Sequence, residues 1–247
     1  MEQAEVPSIA HLIYPFVRAY LPEWMDLPTF EVLFFALLSG VFLSVFGWLA
    51  MRRAEFFPKG LQNAVEFLYE GLLDWYNNFM EDRKEAERYF PFYGSFFFYI
   101  LVMNLIGIFP FFRSPTSYYM TTLSLAAVAI AGTWLIAINR LGPIQFVKHL
   151  IGEPWWLFPL TLPIHLVGEI SRVLSLSIRL AANIYAEDTG LVVMILPVVL
   201  FLPLWLPLPI AMPFMFLMVI FSTAQALIFS TLTAVYIRLW LPVGEHH

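Results

Sequence analysis

The segment "FEVLFFALLSGVFLSVFGWLA", Phe30 to Ala50, carries a single charged residue, Glu31. About 20 such residues cross the hydrocarbon core of a bilayer as a helix. Comparable apolar windows run from about Phe92 to Phe112 and from about Thr121 to Ile138. Two longer ones close the chain, about His165 to Leu196 and Pro209 to Trp240. Inside lipid the backbone must satisfy its own hydrogen bonds, which leaves the helix as the conformation for uninterrupted apolar runs. Composition agrees: 60% of the residues are hydrophobic and 13% charged, against roughly 45–50% and about 25% in ordinary soluble domains. The fold class expected is therefore an all-α polytopic membrane protein, residues 1–247 forming one membrane domain.

Within that domain the sequence divides into an N-terminal segment (1–29), a first span (30–51), a surface helix (58–80), a two-span hairpin (92–138) and two long helices (165–240). In the surface helix Leu61, Val65, Leu68, Leu72 and Trp75 recur at helical spacing, with Glu66, Glu70 and Asp74 on other faces. That pattern suits a helix lying on the membrane or against a partner. The charged run "EDRKEAER" after it reads as a solvated turn. "FVKHLIGEPWWLFPLTLP" is amphipathic and aromatic, as expected near lipid headgroups. The proline-rich "PVVLFLPLWLPLP" reads as a re-entrant or interfacial connection between the last two helices. The acidic N-terminus lacks the basic region of a signal peptide, so targeting through the first span is expected.

Lys and Arg set the orientation. If the first span enters the cytoplasm, that side collects Arg52, Arg53, Lys59, Arg83, Lys84, Arg88, Arg140, Lys148 and Arg238, against Arg18 and Arg113 opposite. The positive-inside rule then puts the N-terminus outside and the C-terminus in the cytoplasm, with five spanning segments between.

The fourth of these contains the most constrained chemistry. His165, Glu169, Arg172, Ser175, Arg179, Asn183 and Glu187 follow one another at spacings of 4, 3, 3, 4, 4 and 4. At about 100° per residue they share a sector of about 120°, and from first to last they cover about 33 Å of helix. A polar stripe thus runs through a segment of membrane thickness. Arg172 and Glu187 lie toward the ends, where a long side chain can reach the interface. Arg179 lies near the middle, where a guanidinium costs at least about 2.5–3.5 kcal/mol. A purely structural ion pair with Glu169 or Glu187 would leave Ser175 and Asn183 on the stripe without a reason. A charge meant for water or for a partner's carboxylate accounts for all of them.

The last helix adds Gln225 in mid-segment, whose amide needs partners in an apolar setting. Its Ser and Thr neighbours serve close helix packing, and Asn104 in the second span reads as interhelical glue. There is no cysteine, which removes disulfides and thiolate chemistry. No GxSxG, HExxH, Walker or GxGxxG motif occurs, and no cofactor, metal or nucleic acid is expected.

"GEISRVLSLSIRLAANIYAED" closely resembles the signature segment of subunit a of F-type rotary ATP synthases, which has its invariant arginine in an "SLxxRLxxNxxA" context. "ILVMNLIGIFPFF" with "SPTSYYMTTLSLA" is similar to that family's second and third spans. "PKGLQNAVEFLYE" resembles its cytoplasmic surface helix and "TAQALIFSTLTAVYI" its last helix. The resemblance covers nearly everything after residue 30, in order. It implies a membrane stator of the Fo sector, beside a rotating ring of c-subunits and held by peripheral-stalk b subunits. Its two last helices would be strongly tilted against the ring, and two half-channels would lead protons to and from the ring carboxylates. Arg179 would be the essential arginine facing them. Asn183, Glu187 and Asp188 would line the outer half-channel, and Ser175, Glu169 and His165 the cytoplasmic one. Gln225 would hold Arg179 in place. Such a subunit has no nucleotide site and catalyses nothing alone. A bacterial inner membrane, or an organellar one, would be its location.

Two positions depart from the family pattern. His165 stands where the family often has Glu, and a histidine can relay protons near neutral pH. Met218, seven residues before Gln225, stands where some members carry an ionisable group, which leaves the outer acid to Glu187 or Asp188. Glu187 shares the face of Arg179 on a straight helix, whereas Asp188 occupies the position where the family usually places its acid. A sodium-driven version, a scaffold whose stripe only binds helices, and an intramembrane enzyme are the competing readings.

Overall fold

A computed structural model describes residues 8–22, 25–52, 60–80, 82–109, 112–151, 158–201 and 207–240. Among them are eight α-helices: α1 (Ile9–Val17), α2 (Leu27–Met51), α3 (Leu61–Met80), α4 (Arg83–Leu105), α5 (Tyr119–Leu141), α6 (Pro143–Ile151), α7 (Phe158–Phe201) and α8 (Pro207–Trp240). The described residues contain no strand, and the chain is an all-α integral membrane protein. Helices α2, α4, α5 and α8 are each long and apolar enough to cross a membrane.

The core is where α3, α4, α5, α7 and α8 meet. Tyr76 of α3, Phe96 of α4, Ala126 and Ala129 of α5, Leu176 and Leu180 of α7, and Ala226 and Phe229 of α8 belong to one buried cluster. Alanines at the contacts let the backbones approach, the usual way that helices pack when lipid removes a hydrophobic drive. Asn104 serves that purpose with a hydrogen bond: Thr116 Oγ1 donates to its Oδ1 at 2.7 Å, and Ser114 Oγ donates to the Met103 carbonyl at 2.9 Å. These bonds fasten the connection between α4 and α5.

The surface helix forms where the periodicity puts it, and it is tied to α8. Trp75 Nε1 donates to Thr231 Oγ1 at 3.1 Å, and the Tyr76 and Ser230 hydroxyls lie 2.6 Å apart. Burial pushes the Tyr76 phenol up to about 12, the bond with Ser230 opposing that only partly. It therefore stays neutral across the physiological range.

Three stretches differ from the sequence expectations. Residues 83–88 of the charged run are not a turn but the start of α4, because the Asp82 side chain caps it by accepting from the Lys84 amide at 2.9 Å. Ala86, Tyr89 and Phe90 are buried there while Arg83 pairs with Asp74 and Glu87. The N-terminal segment, to which the sequence assigns no element, contains α1: Ser8 caps it by accepting from the His11 amide at 3.1 Å, and its hydroxyl also donates to Glu31. The last two helices extend beyond their expected limits. Helix α7 has 44 residues, about 66 Å, and takes in Pro163 and Pro197. The connector shrinks to residues 202–206, which lie outside the described residues, as do residues 53–59 before the surface helix and the Pro154–Trp155 stretch. Gly142, at φ +78°, ends α5 by donating its amide to the Ile138 carbonyl at 2.9 Å. That conformation is one glycine adopts without strain.

Candidate functional site

Helix α7 is packed between α5 and α8. Leu176, Ser177, Leu180 and Ile184 are buried, whereas Ile170, Leu174, Ile178 and Ser175 are exposed. Ser177 reaches α5, its hydroxyl lying 3.2 Å from that of Thr122. The polar stripe is centred about a quarter-turn away from the packed face. It therefore lies on the border between the core and the open side, and its members divide accordingly.

Glu169 belongs to the core side and is 7% exposed. It forms an ion pair with Arg172, one helical turn away, and accepts from Trp134 Nε1 of α5 at 3.3 Å. The Arg172 guanidinium also lies over the Tyr236 ring of α8, 5.1 Å from its centroid. A cation above an aromatic face is held by the ring's quadrupole. The charges at this level of α7 are thus matched within the chain.

Arg179, seven residues further along, is half-buried and makes no ion pair or hydrogen bond among the described residues. It lies in electrostatic reach of Tyr236, as do Arg172 and Glu169. A cation so placed within an apolar helix bundle requires water, a hydrogen-bond acceptor or an anion to stabilise it. Ser175, one turn before it, and His165, further back, are exposed. Helix α7 continues without a break through Asn183, Glu187 and Asp188, whose side chains lie outside the described residues. On α8, Gln225 and Met218 are both buried.

With that geometry in hand, the comparisons with known proteins are specific. The family model described as ATP synthase A chain matches residues 32–238, nearly everything from α2 to the end of α8. The chain belongs to the ATP synthase A chain family. Among its relatives it is 35% identical to ATP synthase subunit a of Helicobacter hepaticus over 218 residues, covering 88% of this chain and 92% of the relative. With the subunit a of Protochlamydia amoebophila it shares 32% identity over 248 residues, 95% and 89% of the two chains. With that of Desulfotalea psychrophila it shares 38% over 195 residues, 79% and 78%. The resemblance of the signature segment is thus part of a match along the family's length. Of the helices, α1, the start of α2 and the last two residues of α8 fall outside it.

Two features, one at this site and one at the start of α2, were not legible beforehand. Trp134 donates to a residue 35 positions away, so no local spacing could announce it. Glu31, in the first span, is 5% exposed and pairs with Arg113 from the α4–α5 connection at 3.4 Å while accepting from Ser8. Its position one residue into an apolar run was the available signal.

Proposed function

We propose that this chain is the proton-translocating stator subunit of the Fo sector of an F-type ATP synthase. The observation that carries the reading is Arg179, central on the polar border of α7 and without an anion among the described residues. In this reading it waits for the carboxylate that each c-subunit brings past. A guanidinium remains protonated, so its nearness favours the ionised form of the passing acid. That promotes proton release and blocks a direct leak between two half-channels.

The outer half-channel is assigned to Asn183, Glu187 and Asp188, and the cytoplasmic one to Ser175, Glu169 and His165, with Gln225 holding Arg179. The exposure of Ser175 and His165 on the open side supports a water-lined path there. The length of α7, more than a perpendicular span needs, supports a helix lying strongly tilted against the ring. The distribution of Lys and Arg supports an N-terminus outside and a C-terminus in the cytoplasm, and the membrane in this reading is a bacterial inner membrane or an organellar one. Peripheral-stalk b subunits and the ring are its partners, and ATP chemistry occurs on other subunits.

ATP-driven acidification of vesicles carrying the assembled complex tests the reading, with Arg179→Ala beside the unaltered protein and assembly followed by co-purification of the ring. Loss of pumping in an intact complex is expected. Undiminished pumping would sink the half-channel reading and leave the stripe as a scaffold that binds neighbouring helices.

A further inference from the structure

Glu169 and Arg172 raise a question about the proposed cytoplasmic path: whether this carboxylate carries protons or balances a charge. Glu169 is buried, and the two groups hydrogen-bonded to it among the described residues come from different helices. One is the guanidinium of Arg172 and the other the indole N–H of Trp134. Both are donors that cannot accept. A carboxylic acid in the same place would bring an O–H with neither of these groups able to receive it. Arg172 in turn is fixed from the opposite side by the Tyr236 ring. Helices α5, α7 and α8 therefore close around one matched pair of charges, about 10 Å along the helix from Arg179.

We infer that Glu169 lines the path as the counter-ion of Arg172 and not as a proton carrier. The pair's role is to keep Arg172 from acting as a second net cation on the face that Arg179 presents. This rests on the stator reading above. An uncompensated Arg172 would compete with Arg179 for the ring carboxylate and repel protons in the same half-channel. An uncompensated Glu169 would trap them. Glu169 and Arg172 are thus positioning residues that leave Arg179 as the charge the ring meets.

The test depends on charge and not on shape, and reads pumping per assembled complex in vesicles. Glu169→Gln and Arg172→Gln each remove one partner and are expected to slow pumping about tenfold. The double variant Glu169→Gln with Arg172→Gln has no charge left to balance and is expected to recover to within about threefold of the unaltered complex, a strong coupling between the two sites. Glu169→Gln with Arg172→Lys keeps the extra cation and is expected to stay slow, although a lysine stem covers the Tyr236 ring better than a glutamine does.

A double glutamine variant as slow as Glu169→Gln alone would overturn the inference, since it would show that the carboxylate itself is needed. Equal rates for the Gln and Lys doubles would overturn it too, since charge would then not matter. Should the single variants fail to assemble, the apolar double Glu169→Leu with Arg172→Met decides the matter: pumping supports the counter-ion role, and an assembled but silent complex refutes it. Arg179→Ala in the same vesicles separates the two levels. If that variant still pumps, the stator reading itself has failed, whatever the pair does.

Discussion

Arg172 and Arg179 occupy the same helix and nearly the same face, yet their surroundings are opposite. Arg172 is paired with Glu169 and rests on Tyr236, while Arg179 has no ion pair or hydrogen bond among the described residues. The chain neutralises the half-buried guanidinium of Arg172 internally, seven residues away from Arg179. In the function proposed above, the partner of Arg179 is a carboxylate carried by another subunit.

The comparison can be broken in order of expected effect. Replacing Arg179 by Gln should lower pumping per assembled complex by at least about a hundredfold, the scale on which pre-organised charges act in reactions, while the complex still co-purifies with its ring. Arg172→Ala should slow pumping by a smaller factor, about tenfold as for Arg172→Gln, and should also act through stability. It leaves the buried Glu169 carboxyl without its cation and should cost about 2 kcal/mol, less than a fully buried pair because Arg172 is partly exposed. A lower thermal midpoint of the complex would register it.

A third pair extends the contrast to the other end of the first span. Glu31→Gln removes the charge that draws in Arg113 and weakens the bond from Ser8, so α1, α2 and the α4–α5 connection lose a common anchor. About 1 kcal/mol is expected, seen as faster proteolysis near α1 with pumping retained. The smallest effect should come from Tyr76→Phe, which removes the hydroxyl beside Ser230 and costs about 0.5–1 kcal/mol. Because the folded phenol titrates near 12 and an unfolded one near 10, the folded state binds that proton more tightly. The contribution is full below pH 10 and is lost as pH rises from about 10 to about 12. The Phe variant should lack that alkaline loss, which thermal unfolding across the range would reveal.

Much of this was legible in the sequence because membrane helices announce themselves by length and apolarity. Helix α2 forms at the expected run, and the spacing of Leu61, Leu72 and Trp75 locates α3 within a few residues of its limits. The seven-residue stripe pointed to α7 and singled out Arg179. What failed has physical reasons. "EDRKEAER" reads as a turn by charge density, but an Asp82 cap and an exposed face for its charges allow α4 to start there. The stretch from Pro197 reads as a connection, yet in a helix bundle neighbouring groups can satisfy the freed carbonyls, and α7 runs through Pro197 to Phe201. The stripe also looked uniform, because a helical wheel cannot show that Glu169 turns into the core while Ser175 stays outside. That division depends on α5 and α8, which approach α7 from far along the chain.

One measurement addresses the open face directly, and the chain's lack of cysteine makes it clean. Ser175→Cys and Ile178→Cys place single thiols on the exposed side of α7, and Leu180→Cys places one on the packed side. Each is oxidised in the assembled complex against a thiol set one turn from the ring carboxylate. Disulfide bonds to the ring are expected from positions 175 and 178 and none from 180. Bonding from 180 with none from 175 or 178 would mean that the face bearing Arg179 is turned away from the ring.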